Sequence, residues 1–277
     1  MVLNRFFPLV LAPTGMVITK DKTPHVPVSP KEIISDVLTC YKIGITSVHL
    51  HARDSNGAPT WKKEIYEEII YGIREHAPDL AINVSTSGRD WSEIEKRADC
   101  LALLGDAKPD LASLTTSSLN FITGASVNAP DTVRKLARIM LEREITPELE
   151  LFDLGMVNAV SVLKKEGLLP NTLVTNLFFG NIYGAQATPI EMAAMVMSQP
   201  ENTIWSGAGL GEFQAQAQSF SLACGGGART GIEDNIYLDK SKSILARNAD
   251  LVSRVHKMGE TLNRVVMPPT NFKSLLK

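Results

Sequence analysis

The chain has 277 residues, of which 44% are apolar and 21% charged, a composition that supplies a large buried core and excludes an intrinsically disordered protein. Its formal net charge of -2, with lysines and arginines spread along the chain, argues against a nucleic-acid partner. No run reaches the roughly 20 apolar residues of a membrane span, and the three cysteines form no CxxC pair, so we expect a cytoplasmic protein without a membrane partner.

Strand and helix signals alternate along the chain. The first helix begins at Ser29-Pro30-Lys31-Glu32, a capping box with proline at the first helical position, and ends at Gly44. The predicted strands are residues 9–12, the strand that carries His49 and His51, and residues 80–85, 111–114, 148–152, 173–179, 203–208 and 228–230. The predicted helices are residues 30–44, 63–76, 91–104, 131–142, 157–165 and 189–197, one that ends near 223, and one or two within 243–262.

Eight strand signals, each followed by a helix signal, favour one parallel barrel over two domains, and about 250 residues is the usual size of such a barrel. We therefore predict an α/β protein with a (β/α)8 TIM barrel as a single domain over residues 1–277. A doubly wound open sheet is the alternative, because it shares the alternation and differs mainly in closure. The C-terminal helical extension after Pro268-Pro269 is expected to be an oligomer contact or a loose end.

His49 and His51 lie two residues apart on a predicted strand. Side chains at this spacing point to the same face, so the two imidazoles can share one divalent ion. The alternative is that one histidine packs into the core and the other meets solvent. The apolar-rich run before the pair and the polar loop after it favour a metal such as zinc.

Other polar residues lie on the predicted strands or where these strands end, and the carboxyl-terminal end of a barrel is where its chemistry takes place. These residues are Ser85, Ser113, Glu148, Glu150, Arg229, Glu233 and Asp234. Glu233 is a plausible third metal ligand, and Arg229 could pair with the glutamates of the fifth strand. The alternative for the last three residues is a solvated charge cluster at the start of the final helix.

Five motifs in register resemble the β-keto acid cleavage enzyme family, and the resemblance covers nearly the whole chain. They are HLHARD at 49–54, NVST at 83–86, ASL with a hydroxyl run and LNF at 112–121, PELELFD at 147–153, and RTGIEDN at 229–235.

The resemblance implies a zinc-dependent barrel that takes a β-keto acid and acetyl-CoA and yields acetoacetate and a new acyl-CoA. It also implies a homo-oligomer, by resemblance a tetramer. Carried over by position, the metal ligands are His49, His51 and Glu233. Asp234 is the base, with Arg229 and Glu150 beside it, and Ser85 and Ser113 hold the substrate.

Two departures from the family pattern concern the substrate. Val17 stands where a member that acts on an amino-substituted acid has glutamate, so a cationic substrate is disfavoured. We expect a neutral, aliphatic or hydroxylated chain, or an anionic one if a lysine or arginine such as Lys20 reaches the pocket. Leu210 occupies the glycine loop after the seventh strand, where the family often has arginine.

Two other functional classes share the barrel. Metal-dependent hydrolases carry a His-x-His pair on the first strand and further histidines on later strands, whereas His25, His76 and His256 are predicted in a loop or on helices. The third class is a non-catalytic binding barrel, which the metal content of the purified protein would distinguish.

Overall fold

Eight parallel strands close into a barrel in the computed structural model, which describes residues 5–276 and leaves residues 1–4 and 277 of the expected domain undescribed. The strands are Leu9–Leu11 (β1), Ser47–Leu50 (β2), Ala81–Val84 (β3), Leu111–Thr115 (β4), Thr146–Leu151 (β5), Leu173–Phe179 (β6), Thr203–Gly209 (β7) and Gly227–Thr230 (β8). The order around the barrel is β5-β6-β7-β8-β1-β2-β3-β4, and the pairing of Glu148 with Ser113 closes it. The predicted barrel is confirmed, and the open sheet is excluded.

Helices pack around the barrel against the outward-facing side chains of the strands, such as Val48 and Leu50 of β2. The predicted capping box is present, since Ser29 Oγ accepts from Glu32 N and the Glu32 carboxylate accepts from Ser29 N. The helices are Pro30–Ile43 (α1), Lys63–Arg74 (α2), Ile94–Arg97 (α3), Pro130–Glu142 (α4), Leu154–Lys165 (α5), Pro189–Met197 (α6), Gln214–Ala223 (α7), Asn248–Thr261 (α8) and Pro269–Leu275 (α9).

The predicted helix over 91–104 is wrong, because α3 is a single turn followed by 3-10 turns at Asp99–Ala102 and Gly105–Ala107. Arg97 is buried and donates to Thr86 O at 2.9 Å. Asp99 Oδ2 accepts from Lys63 N at 2.8 Å. These tertiary hydrogen bonds fix the segment against its neighbours and override its helical pattern.

The chain after Pro268 is not a loose end. Helix α9 places Phe272 against Ala81, Leu111 and Val174, the inward-facing residues at the amino-terminal end of β3, β4 and β6. Lys273 Nζ lies 2.9 Å from Asp110 Oδ1. The helix therefore closes the base of the barrel, because its apolar face covers side chains that would otherwise meet water.

Short hairpins stand at the opposite end, above the carboxyl ends of the strands. Ala52–Arg53 pairs with Pro59–Thr60, and Leu119–Phe121 pairs with Gly124–Ser126. Neither hairpin was among the predicted elements. Within residues 5–276 no helix has the length and apolar character needed to cross a membrane.

Candidate active site at the carboxyl end of the barrel

The two histidines point into the barrel together, as strand spacing predicts. His49 belongs to β2, His51 follows its end, and their Nε2 atoms are 3.1 Å apart. Both side chains are buried, with exposures of 1% and 7%. Val48 and Leu50, which alternate with them, pack outward into the core. The alternative of one core histidine and one solvent-facing histidine is therefore excluded.

Glu233 reaches the pair from the loop after β8. Its Oε1 lies 3.4 Å from His51 Nε2 and 3.9 Å from His49 Nε2. Gly15 makes room for this side chain, because a Cβ at Gly15 would stand 2.6 Å from Glu233 Cγ. Gly231 is required in the same loop, since a Cβ there would meet Ala12 O at 1.9 Å.

These three side chains fit a divalent metal. One ligand atom from each of His49, His51 and Glu233 lies within 4.8 Å of the others. Glu233 Oε2 is buried and has no hydrogen-bond partner in the part of the chain that the structure describes. Two imidazoles and one carboxylate are a zinc-type ligand set that leaves a coordination position open.

A second cluster, of His49 with Glu148 and Glu150, has similar spacing. Each carboxylate of both sets accepts a hydrogen bond: Glu148 from Asn83, Glu150 from Thr115 and Glu233 from Arg229. The set with Glu233 is the better candidate for a metal, because Glu233 Oε2 is buried and has no partner among the described residues.

Asn83 and Glu148 lie behind the outer ring nitrogen of His49. Glu148 Oε2 is 3.5 Å from His49 Nδ1, and Asn83 Nδ2 is 3.0 Å from the same atom. An imidazole that offers Nε2 to a metal carries its proton on Nδ1. In that state Asn83 Nδ2 donates to Glu148 and no longer to His49, and Glu148 is the carboxylate within reach of the Nδ1 proton.

Arg229 is buried at the centre of a carboxylate network. Its Nε donates to Asp234 Oδ2 at 3.0 Å, and its Nη2 donates to Glu233 Oε1 at 2.8 Å. Its Nη1 lies 3.9 Å from Glu150 Oε1 and has no hydrogen-bond partner among residues 5–276. The predicted neighbours are thus brought together, and they do not form a solvated surface cluster.

Burial and neighbouring charges move the pKa values of the two adjacent acids in opposite directions. Burial opposes ionisation of Glu233, but the charges of His51 and Arg229 hold its pKa well below the ordinary range. Burial raises the pKa of Asp234 and outweighs the effect of Arg229. Glu233 is therefore the anionic ligand type, while Asp234 is the stronger base.

A cavity opens beside these groups. Among the residues that line it are His51, Glu150, Arg229, Glu233 and Asp234, together with Ser85, Thr115 and Leu210. This combination of apolar, hydroxyl and charged side chains is typical of a binding site for a small organic ligand.

One wall of the cavity is aromatic. Phe152 and Phe178 stack with ring centroids 4.5 Å apart, and Phe121 meets Phe152 edge to face at 5.7 Å. Arg229 Cζ lies 5.0 Å from the Phe178 centroid, and Arg89 Cζ lies 3.9 Å from the Phe121 centroid. The wall therefore has an arginine at each end.

Sequence similarity to known proteins extends over the whole barrel. A family model described as beta-keto acid cleavage enzyme matches residues 8–277. The chain belongs to this family. It is 33% identical over 267 residues to the 3-keto-5-aminohexanoate cleavage enzyme of Fusobacterium nucleatum subsp. nucleatum, covering 95% of this chain and 94% of the relative. It is 35% identical over 271 residues to the 3-oxoadipate:acetyl-CoA acetyltransferase of Cupriavidus necator, covering 96% and 93%.

A solved structure supports the fold of this β-keto acid cleavage family member. The ternary complex of ObcA with a C4-CoA adduct and oxalate aligns with a TM-score of 0.78 at 18% identity, covering 93% of this chain and 68% of that chain. At this identity the likeness concerns the barrel alone.

The two predicted substrate-binding serines, Ser85 and Ser113, lie in different positions relative to the cavity. Ser85 is 8% exposed and lines the cavity. Ser113 is buried below it, where its Oγ accepts from Thr86 N at 3.1 Å, and the hydroxyl of Thr115, one step further along β4, lines the cavity. The role of Ser113 in substrate binding stays a prediction.

The cation at the mouth of the cavity is Arg89, whereas the sequence suggested Lys20. Val17 lines the cavity and is 56% exposed. Lys20 instead bonds Glu32 at 2.9 Å and does not line the cavity. Arg89, which sequence reasoning missed, lines it from the loop after β3. Loops lack periodicity, so no pattern marked this arginine, whereas Asn83 could have been found from its spacing to Ser85 on β3.

Proposed function

We propose that this chain catalyses the reaction of a β-keto acid with acetyl-CoA to give acetoacetate and a new acyl-CoA. The observation that carries the proposal is the buried hydrogen bond between Asp234 and Arg229. Arg229 also donates to the candidate metal ligand Glu233, and all three residues line the same cavity. The names of the two curated relatives, each a β-keto acid enzyme, support the same class of substrate.

We propose zinc, or another divalent transition metal, as the cofactor, held by His49, His51 and Glu233. Such an ion would act as a Lewis acid on the keto oxygen and carboxylate of the substrate and would make the carbon between them more acidic.

Asp234 is the proposed base. Its burial raises its pKa, which favours uptake of a proton from the carbon between the two carbonyl groups of the substrate. Arg229 fixes the carboxylate in place through its Nε, and its unpaired Nη1 can donate to the substrate. Glu150 Oε1 lies 3.9 Å from this Nη1, so its negative charge favours the guanidinium at this position without a hydrogen bond to it.

The overall reaction balances with one proton shuttled by Asp234. The carbanion of the β-keto acid forms a carbon–carbon bond with the thioester carbonyl of acetyl-CoA, and the CoA thiolate leaves. That thiolate then attacks the original keto carbon and breaks its bond to the central carbon. Asp234 returns its proton to the released acetoacetate, while the original acyl group leaves as its CoA thioester.

Ser85 and Ser113 are the proposed substrate-holding hydroxyls. The Ser85 hydroxyl lies on the cavity wall beside His51, which supports direct contact with the keto acid. Ser113 supports the Thr86 backbone from below, so its contribution would be to hold the loop that carries Ser85.

We also propose a cytoplasmic homo-oligomer, a tetramer by resemblance, built from a single domain in each subunit. Exposed apolar side chains near α5 and α6 support an interface between subunits: Leu154, Ile182, Tyr183, Ile190 and Met197. Light scattering on the purified protein measures the subunit number.

The decisive experiment incubates the metal-loaded protein and acetyl-CoA with a panel of β-keto acids and assays acetoacetate. Protein stripped of metal is the matched control. Acetoacetate formed only by the loaded protein supports the proposal. Metal-dependent decay of the keto acid without acyl transfer would favour the hydrolase, and bound keto acid without turnover would favour the binding barrel.

A further inference from the structure

Arg89 is a half-buried cation on the wall of the cavity that also contains His51 and Glu233. The face of its guanidinium rests on Phe121, which leaves the edge N–H groups for other partners. Within residues 5–276 its Nε is buried without a hydrogen-bond partner, and no carboxylate forms an ion pair with it. The guanidinium is thus fixed in place while its charge is left unmatched.

The other arginine of the cavity shows the contrast. Arg229 is neutralised by Asp234 and Glu233, with Glu150 nearby. Among the described residues no carboxylate lies within ion-pair distance of Arg89. Its guanidinium is therefore open to an anionic ligand, because a planar guanidinium binds carboxylates through two parallel hydrogen bonds.

The aromatic wall connects the two arginines. Phe178 lies beside Arg229, Phe152 stacks on Phe178, and Phe121 continues the wall to Arg89. A short run of methylene groups can pack along these rings while a charged end reaches Arg89. Ligand cavities commonly combine such an apolar lining with a few polar groups that set specificity.

We infer that the β-keto acid used by this protein carries a second carboxylate at the end of its acyl chain, and that Arg89 binds it. The inference rests on the proposed function and names its substrate class, a 3-oxo dicarboxylic acid. The sequence predicted a neutral chain, or an anionic one if a lysine or arginine reached the pocket, and Arg89 is an arginine that does so. An acid that carries an ammonium group is disfavoured for two reasons. Arg89 would repel the ammonium group, and Val17 offers no carboxylate to pair with it.

The phosphates of CoA are the other anions that could meet Arg89. The whole pantetheine arm separates them from the thioester, whereas Arg89 shares one cavity with His51 and Glu233. The terminal carboxylate of the keto acid is therefore the better match for this position.

The test compares 3-oxoadipate with 3-oxohexanoate, which has the same chain length and a methyl group in place of the second carboxylate. Wild type, Arg89→Gln and Lys20→Gln are assayed in the metal-loaded form. The last is a matched control, because it removes an exposed cation that pairs with Glu32 outside the cavity. The measurements are kcat/KM for each acid, KM for acetyl-CoA, and calorimetric binding of each acid without acetyl-CoA.

We expect wild type and Lys20→Gln to favour 3-oxoadipate. Arg89→Gln should lose roughly 10- to 100-fold on that acid, the range for a charged hydrogen bond, and change little on 3-oxohexanoate. An absent preference in wild type, or a preference that survives in Arg89→Gln, overturns the inference. So does an equal rise in KM for acetyl-CoA with both acids, which would assign Arg89 to the CoA phosphates.

Failure of the proposed function gives a separate result. If no β-keto acid yields acetoacetate, calorimetry still decides the role of Arg89. Tighter binding of 3-oxoadipate than of 3-oxohexanoate, lost in Arg89→Gln, supports the anion site, and equal binding of the two acids overturns it.

Discussion

Glu148 is a single residue that should affect metal binding, because its carboxylate lies 3.5 Å from His49 Nδ1. Glu148→Gln keeps the shape but replaces the acceptor carboxylate with an amide, which holds the imidazole proton less well. Loss of such an outer partner typically lowers metal affinity about 10- to 100-fold. We expect a loss in this range, measured by competition with a coloured chelator.

Glu150→Gln is the matched control for that change. Glu150 lies on the same strand face but bonds Thr115 Oγ1 at 2.8 Å. Its variant should bind the metal nearly as wild type does. A large loss of affinity in Glu150→Gln as well as in Glu148→Gln would place the metal in the second cluster, with His49, Glu148 and Glu150.

Asp234 is the second residue whose role can be isolated. Asp234→Asn removes the base but keeps an oxygen near Arg229, so the fold and the metal content should be retained. Loss of a positioned base typically lowers the rate about 100- to 10,000-fold, and we expect kcat to fall within that range. The measurement is acetoacetate formation under saturating substrates.

The control for Asp234 is Asp239→Asn, in the exposed loop that follows, where the carboxylate bonds Ser241 and Ser243. Its kcat should match wild type. Near-normal turnover by Asp234→Asn would show that another residue is the base. Glu150, which lines the cavity and is not in the proposed metal ligand set, would be the next candidate.

The loop after β1 matters at the scale of an element, because it determines where the loop after β8 can place Glu233. Gly15 has φ +64°, and a side chain there would collide with Glu233. Gly15→Ala should therefore lower metal affinity and also destabilise the fold by about 1 kcal/mol through its left-handed backbone. Chelator competition and urea unfolding separate the two effects.

Gly105→Ala isolates the backbone effect from the collision. Gly105 has φ +57° and nothing within 4 Å of an added Cβ. This variant should lose similar stability and bind metal normally. Equal metal affinity in both variants would mean that Gly15 has no part in placing Glu233.

The elements also show why sequence patterns succeed or fail. Period-two alternation in β2 correctly placed His49 and His51 on one face, since a barrel strand has only an inner and an outer side. The segment over 91–104 has helical spacing but folds into turns, because Arg97 and Asp99 bond distant backbone groups. Such bonds depend on neighbours that no local pattern contains.

At the scale of the whole molecule, the order of elements predicted the barrel and the face where Glu233 and Arg229 lie. The contents of the cavity mouth were harder to predict. Arg89 and Phe121 come from two separate loops above the barrel, and only folding brings them into contact. Closure of the base by Phe272 escaped prediction for the same reason, since its partners lie on three different strands.

A metal bound by His49, His51 and Glu233 would link strand β2 to the loop after β8 and so stabilise the entire barrel. A ligand that binds only the folded state adds about 2.7 kcal/mol at a hundredfold excess over its Kd. We expect wild type to melt several degrees higher with zinc than after chelation, as calorimetry would measure. His49→Ala should hold less metal by elemental analysis and show no zinc-dependent shift. Equal metal content in the two proteins would remove His49 from the ligand set.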